Sequence, residues 1–100
     1  MNFNEIYSYC GTLGKLQDGN LPTSLIKLGE ETGELNEAYL RSIEYKSSEG
    51  TDPVMDMKKE CADGIIMLLD IAQKLEMSEN ELYELLEEKL EKWRVKYSLV

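Results

Sequence analysis

At 100 residues the chain has room for one domain with a limited core, the size at which assembly with further copies often adds stability. A formal net charge of −9 sets it against nucleic-acid backbones and anionic membrane surfaces as partners, though not against a nucleotide whose charge a metal ion offsets. With 42% hydrophobic and 31% charged residues and few β-branched ones, the composition leans to helix and allows a core.

Met1–Asn4 has no basic stretch leading into an apolar run, so no leader is expected there. The longest apolar stretch, Ile65–Leu69, is far too short to span a bilayer. The expectation is a soluble, cytoplasmic protein, with Cys10 and Cys61 as reduced, buried thiols on apolar helical faces.

Four helices are expected. The first runs from about Asn4 to Leu16, with Phe3, Ile6, Tyr7, Cys10 and Leu13 at three-and-four spacing and Gly11 and Gly14 weakening it. Gln17–Asn20 reads as a turn. The second helix, from about Pro22 to Tyr45, carries an apolar seam of Leu21, Leu25, Leu28, Thr32, Leu35 and Tyr39. The polar break Lys46–Pro53 follows.

The third helix, from about Val54 to Leu75, begins charged and becomes apolar almost all round over Ile65–Ala72. A helix of that kind is buried on every side, in so small a protein partly by a second subunit. The fourth opens at Ser78, which forms a capping box with Glu81, and carries a stripe of Leu82, Leu85, Leu86, Leu90 and Trp93. Its polar face turns from acidic (Glu84, Glu87, Glu88) to basic (Lys89, Lys92, Arg94, Lys96), which suits the helix dipole. The fold class is therefore all-α, four-helix bundle-like, in a single domain over residues 1–100, completed by oligomerisation.

The chemistry falls on helices two and three. Glu31 and Glu34 share one flank of the Leu28/Leu35 seam, whereas Glu30 and Glu37 point nearly opposite, towards solvent. Glu60 and Asp63 repeat the three-residue spacing, and antiparallel packing lets the two pairs face each other. Four such carboxylates repel, and a hard cation relieves the repulsion; magnesium fits best, with manganese as a substitute. The chain has no histidine, which excludes Glu-x-x-His di-iron sites, histidine zinc sites and histidine acid–base chemistry. Neither an EF-hand loop (Asp18-Gly19-Asn20 lacks the spacing), a Walker A loop nor GxGxxG is present. From spacing alone, a metal site and a solvated acidic face both remain open.

The run LGEETGELNEA over residues 28–38 resembles the first motif, EExxE, of the MazG-like all-α nucleoside triphosphate pyrophosphohydrolases. Glu60-Cys61-Ala62-Asp63 is similar to the second motif, ExxD, and the 25 residues between Glu34 and Glu60 match the family's separation. The tail KLEKWRVKY over residues 89–97 resembles the basic C-terminal motif, with Glu88 and Trp93 where asparagines are usual. The resemblance covers about residues 20–97 and leaves the family's base-holding residues of helix one without a clear match.

It implies Glu31, Glu34, Glu60 and Asp63 as magnesium ligands and catalytic residues, and phosphate contacts from Lys89, Lys92, Arg94 and Lys96. The implied reaction converts a (deoxy)nucleoside triphosphate to its monophosphate and pyrophosphate in a homodimer or homotetramer. Phosphoribosyl-ATP pyrophosphohydrolase, on the same scaffold, is the alternative enzyme, although its histidine after the second motif is missing. A non-catalytic helical interaction protein is the alternative of another class.

Other residues have two readings. Asp70 either reaches a base or ribose or pairs with a lysine, and Lys27 either contacts phosphate or forms an ion pair. Trp93 and Tyr97 stack on a base or pack on the bundle, Met67 is core, and Gly33 and Gly64 permit close approach of helices or ligand.

Overall fold

All four helices open on a side chain that bonds the first turn, Asn2 in the first accepting from Glu5 N–H at 2.9 Å. In the computed structural model, which describes residues 1–17 and 20–98, these helices are α1 (Phe3–Gln17), α2 (Leu21–Ser42), α3 (Pro53–Lys74) and α4 (Glu79–Lys96). Asn20 caps α2 by accepting from Thr23 N–H at 2.8 Å, Asp52 caps α3 by accepting from Met55 N–H at 3.1 Å, and Ser78 caps α4 by accepting from Glu81 N–H at 3.1 Å. The described residues contain no strand, so the protein is all-α. Asp18 and Gly19 of the expected turn lie outside the described residues.

The helix ends use left-handed backbone at residues other than glycine. α2 stops three residues before the expected Tyr45 because Glu44 adopts φ 61°. There Tyr45 N–H bonds Leu40 C=O at 2.9 Å and Glu44 N–H bonds Arg41 C=O at 3.2 Å. Glu76, also at φ 61°, closes α3 in the same way, with Met77 N–H on Ala72 C=O at 3.0 Å. These are Schellman ends, in which glycine would be the unstrained occupant.

α3 is the central element. α2 packs along it antiparallel, joined near one end by Arg41–Asp56 and near the other by Ser24–Asp70. α1 also packs on α3, where Gly11 and Gly14 allow a very close approach. A Cβ at Gly14 would stand 1.8 Å from Asp70 Oδ1. Tyr7, Cys10, Leu69 and Ala72 form a small core, with Met77 and Leu82 against it.

Several expectations about burial are corrected. On α2 the buried residues are Ser24 and Ala38, not the apolar seam, whose Leu25, Thr32 and Tyr39 are exposed. Within one chain α3 buries Leu69, Asp70, Ile71 and Ala72 and leaves Ile65 53% exposed beside exposed Ile66 and Leu68, the side a second subunit was expected to cover. Cys61 is exposed, so only Cys10 is a buried thiol, with burial raising its pKa. Met67 is half-buried, and Gly33 and Gly64 meet nothing within contact range, so they mediate no helix packing.

α4 makes only marginal contact with the other helices. Its start is held by Tyr7 Oη donating to Met77 C=O at 2.6 Å, by Asn4 donating to Glu79, and by Phe3 edge-on to Tyr83 with centroids 6.3 Å apart. Beyond Leu82 its stripe is bare, with Trp93 68% exposed. The radius of gyration, 16.3 Å, exceeds the roughly 13 Å of a compact 100-residue domain because α4 stands away from the rest.

Candidate metal centre

The antiparallel pairing of α2 with α3 brings Glu31 and Glu34 opposite Glu60. One carboxylate oxygen from each of the three lies within 4.8 Å of the other two. Glu31 and Glu60 are half-buried and Glu34 is exposed at the rim. Glu31 Oε2 and Glu60 Oε2 are buried with no hydrogen-bond partner. A buried carboxylate oxygen without a donor is costly, and a cation or a proton is what relieves it.

The proton balance reflects that crowding. Hydrogen bonding to Glu60, then the Glu60 charge, holds the Glu34 carboxyl above the ordinary carboxylate range, with desolvation, Glu30 and Asp63 adding to it. Glu60 is raised in turn, first by hydrogen bonding to Glu31, then by desolvation and by the charges of Glu31 and Asp63. Asp63 is exposed and stands outside the tight trio, close enough to act on it through its charge. Glu30, expected to face away, also acts on Glu34.

No family model, curated protein or solved structure matches this chain.

The donor set is made of carboxylates alone, the chemistry of a hard divalent ion. Its residues fit magnesium, because the buried orphan oxygens of Glu31 and Glu60 supply what such an ion requires.

The other residues singled out by the sequence are dispersed. Asp70 takes the ion-pair reading: its Oδ2 lies 2.8 Å from Lys74 Nζ and accepts from Ser24 Oγ at 2.9 Å. Lys74 Nζ also donates to Ser24 Oγ at 2.6 Å. Lys27 is half-buried beside Met67, Thr23 and Asp70 at a 10 Å³ void, room for about one water. Of the basic residues on α4, Arg94 grips Glu91 through two N–H groups at 2.6 and 2.8 Å, and Lys92 lies 3.6 Å from Glu88. Lys96 sits 5.5 Å over the Tyr97 ring and Lys89 is exposed. Within one chain, α4 does not carry these groups onto the α2–α3 pair.

Sequence reasoning missed a neighbour of the trio. A cavity of about 550 Å³ is lined by Glu34, Glu37, Arg41, Thr51, Asp56 and Glu60. Glu37, expected to point away from the cluster, lines it. The available signal was spacing: Arg41 lies two turns from Glu34, and Asp56 one turn from Glu60.

Proposed function

We propose that the protein is a magnesium-dependent nucleoside triphosphate pyrophosphohydrolase, cleaving a (deoxy)nucleoside triphosphate to its monophosphate and pyrophosphate. The observation carrying this reading is the convergence of Glu31, Glu34 and Glu60 within 4.8 Å with two buried, donor-less oxygens among them. The motif resemblance of residues 28–38 and 60–63 supplies the reaction class.

Glu31, Glu34 and Glu60 would hold the ion, with Asp63 available to it from the next turn of α3. Magnesium, when bound, supplies charge neutralisation on the phosphates and acidifies a water. The chain itself keeps the carboxylates at one point, pairs none of the three with a lysine or arginine among the described residues, and offers a carboxylate to accept the proton of the water that attacks the α-phosphorus. That P–O bond forms as the bond to the departing pyrophosphate breaks.

The bare stripe of α4 and the exposed Ile65, Ile66 and Leu68 support assembly as a homodimer or homotetramer, in which α4 of a further copy covers apolar surface and delivers basic groups. No helix among the described residues is long and apolar enough to cross a membrane. The same exposed stripe also suits a non-catalytic interaction protein. A panel of nucleoside triphosphates, with phosphoribosyl-ATP included, separates the readings. The enzyme is expected to release pyrophosphate only with magnesium or manganese, and Glu60→Gln to lower turnover at least about a hundredfold, the scale of one lost electrostatic contact in a transition state. No pyrophosphate from any substrate, or full turnover by Glu60→Gln, refutes it.

A further inference from the structure

We infer that Arg41 is the group that grips the far end of the polyphosphate, so that the cavity between α2, α3 and the loop joining them receives the departing pyrophosphate. The inference rests on the carboxylate-site reading above and gives it a direction. Of the cavity's six lining residues, Arg41 alone is cationic, and two others, Glu34 and Glu60, belong to the trio. Arg41 lies two turns along α2 from Glu34, about 10 Å along the helix axis. That offset suits a phosphate chain fixed at one end by the trio and at the other by a cation.

The guanidinium is committed to only one bond. Arg41 Nη1 donates to Asp56 Oδ2 at 3.0 Å, and its other N–H groups have no partner among the described residues. The side chain is 17% exposed and lines the cavity, and its unpaired N–H groups remain accessible. A planar fork with spare donors matches phosphate oxygens better than any other side chain. Asp56 aims the fork and does not consume it. Thr51 from the loop adds a hydroxyl on the same wall, although its proton is committed to Ser48 C=O at 2.8 Å.

Charge decides the form in which the ligand enters. Glu34, Glu37, Asp56 and Glu60 outnumber the one arginine, so free pyrophosphate is repelled and only its magnesium complex is admitted.

Binding of inorganic pyrophosphate to the whole protein, measured by calorimetry with and without magnesium, tests this. Wild type is expected to bind magnesium pyrophosphate and not pyrophosphate in EDTA. Arg41→Ala is expected to bind it at least about tenfold more weakly, the value of a hydrogen bond to a charged group, while magnesium still raises its melting temperature. Asp56→Ala removes the same ion pair but leaves the cation, and should weaken binding less than Arg41→Ala. Equal losses in the two variants would reduce Arg41 to a structural role and overturn the inference, as would unchanged affinity in Arg41→Ala. If Arg41→Ala does not fold, Arg41→Lys keeps the pair with Asp56 and loses the fork; unchanged affinity there overturns the inference too. A wild type whose melting temperature ignores magnesium overturns the carboxylate reading and this one together, whereas a magnesium response with indifference to Arg41 overturns this one alone.

Discussion

Replacing Lys74 with methionine keeps the length of the side chain and removes its charge. Lys74 and Asp70 form the most buried ion pair among the described residues, with side chains 12% and 9% exposed. Without Lys74, Asp70 retains one donor, Ser24 Oγ, and its Oδ1 has none already. Breaking such a pair from one side costs about 3–5 kcal/mol, a large part of the roughly 5–15 kcal/mol that holds a small domain folded. At about 4 °C or more per kcal/mol for a chain of this size, the melting temperature should fall by at least about 10 °C. Circular dichroism melts and urea titrations at one fixed protomer concentration measure it, since assembly adds to apparent stability. Lys74→Met with Asp70→Leu should recover most of the loss, because no charge is then left alone. The surface pair Lys92–Glu88 is the control, and Lys92→Met should change stability by less than about 0.5 kcal/mol. A Lys74→Met cost as small as the control would refute the reasoning.

Two further outcomes are expected. Glu34 and Glu60 have folded-state pKa values raised above the ordinary 4.5, so the stability they contribute is complete below about 4.5 and is lost as pH rises through the folded values. In EDTA, Glu60→Gln should therefore be more stable than wild type near pH 7, with the advantage fading towards pH 4.5 and cancelled by magnesium; thermal melts across pH check this, and equal stability at pH 7 contradicts it. Gly14→Ala gains about 1 kcal/mol of helix propensity but drives a methyl into the locked Asp70 carboxylate, so it should be destabilising, whereas Gly33→Ala meets open space and should be stabilising by up to about 1 kcal/mol, both read from urea midpoints.

The helices were legible because their signals are local: Ser78 with Glu81, Pro22, Pro53, and the periodic apolar positions. Their ends were less so, since Glu44 and Glu76 occupy backbone that glycine would have advertised. Burial was misjudged for a shared reason. Of the seam, Leu21, Leu28 and Leu35 are half-buried and Leu25, Thr32 and Tyr39 exposed, while α3 meets α2 through Ser24 and Glu31, and the choice between those faces depends on packing. Spacing did place Glu31, Glu34 and Glu60 together, because the three-residue step on α2 faces an antiparallel α3 at Glu60, but the matching step on α3 leaves Asp63 outside the trio. Arg41 escaped notice since a lone arginine on an acidic helix carries no signal until the fold sets Thr51 and Asp56 beside it.

The two polar contacts that flank the carboxylates, Ser24–Asp70–Lys74 on one side and Arg41–Asp56 on the other, have a joint consequence. Apolar helix faces tolerate sliding, because one leucine replaces another. A slip of one turn here, about 5.4 Å, would unmake both contacts at once and strand charges at each end. The alignment that sets Glu60 against Glu31 and Glu34 is thus fixed like a plank bolted at two points, by residues that need never touch a substrate.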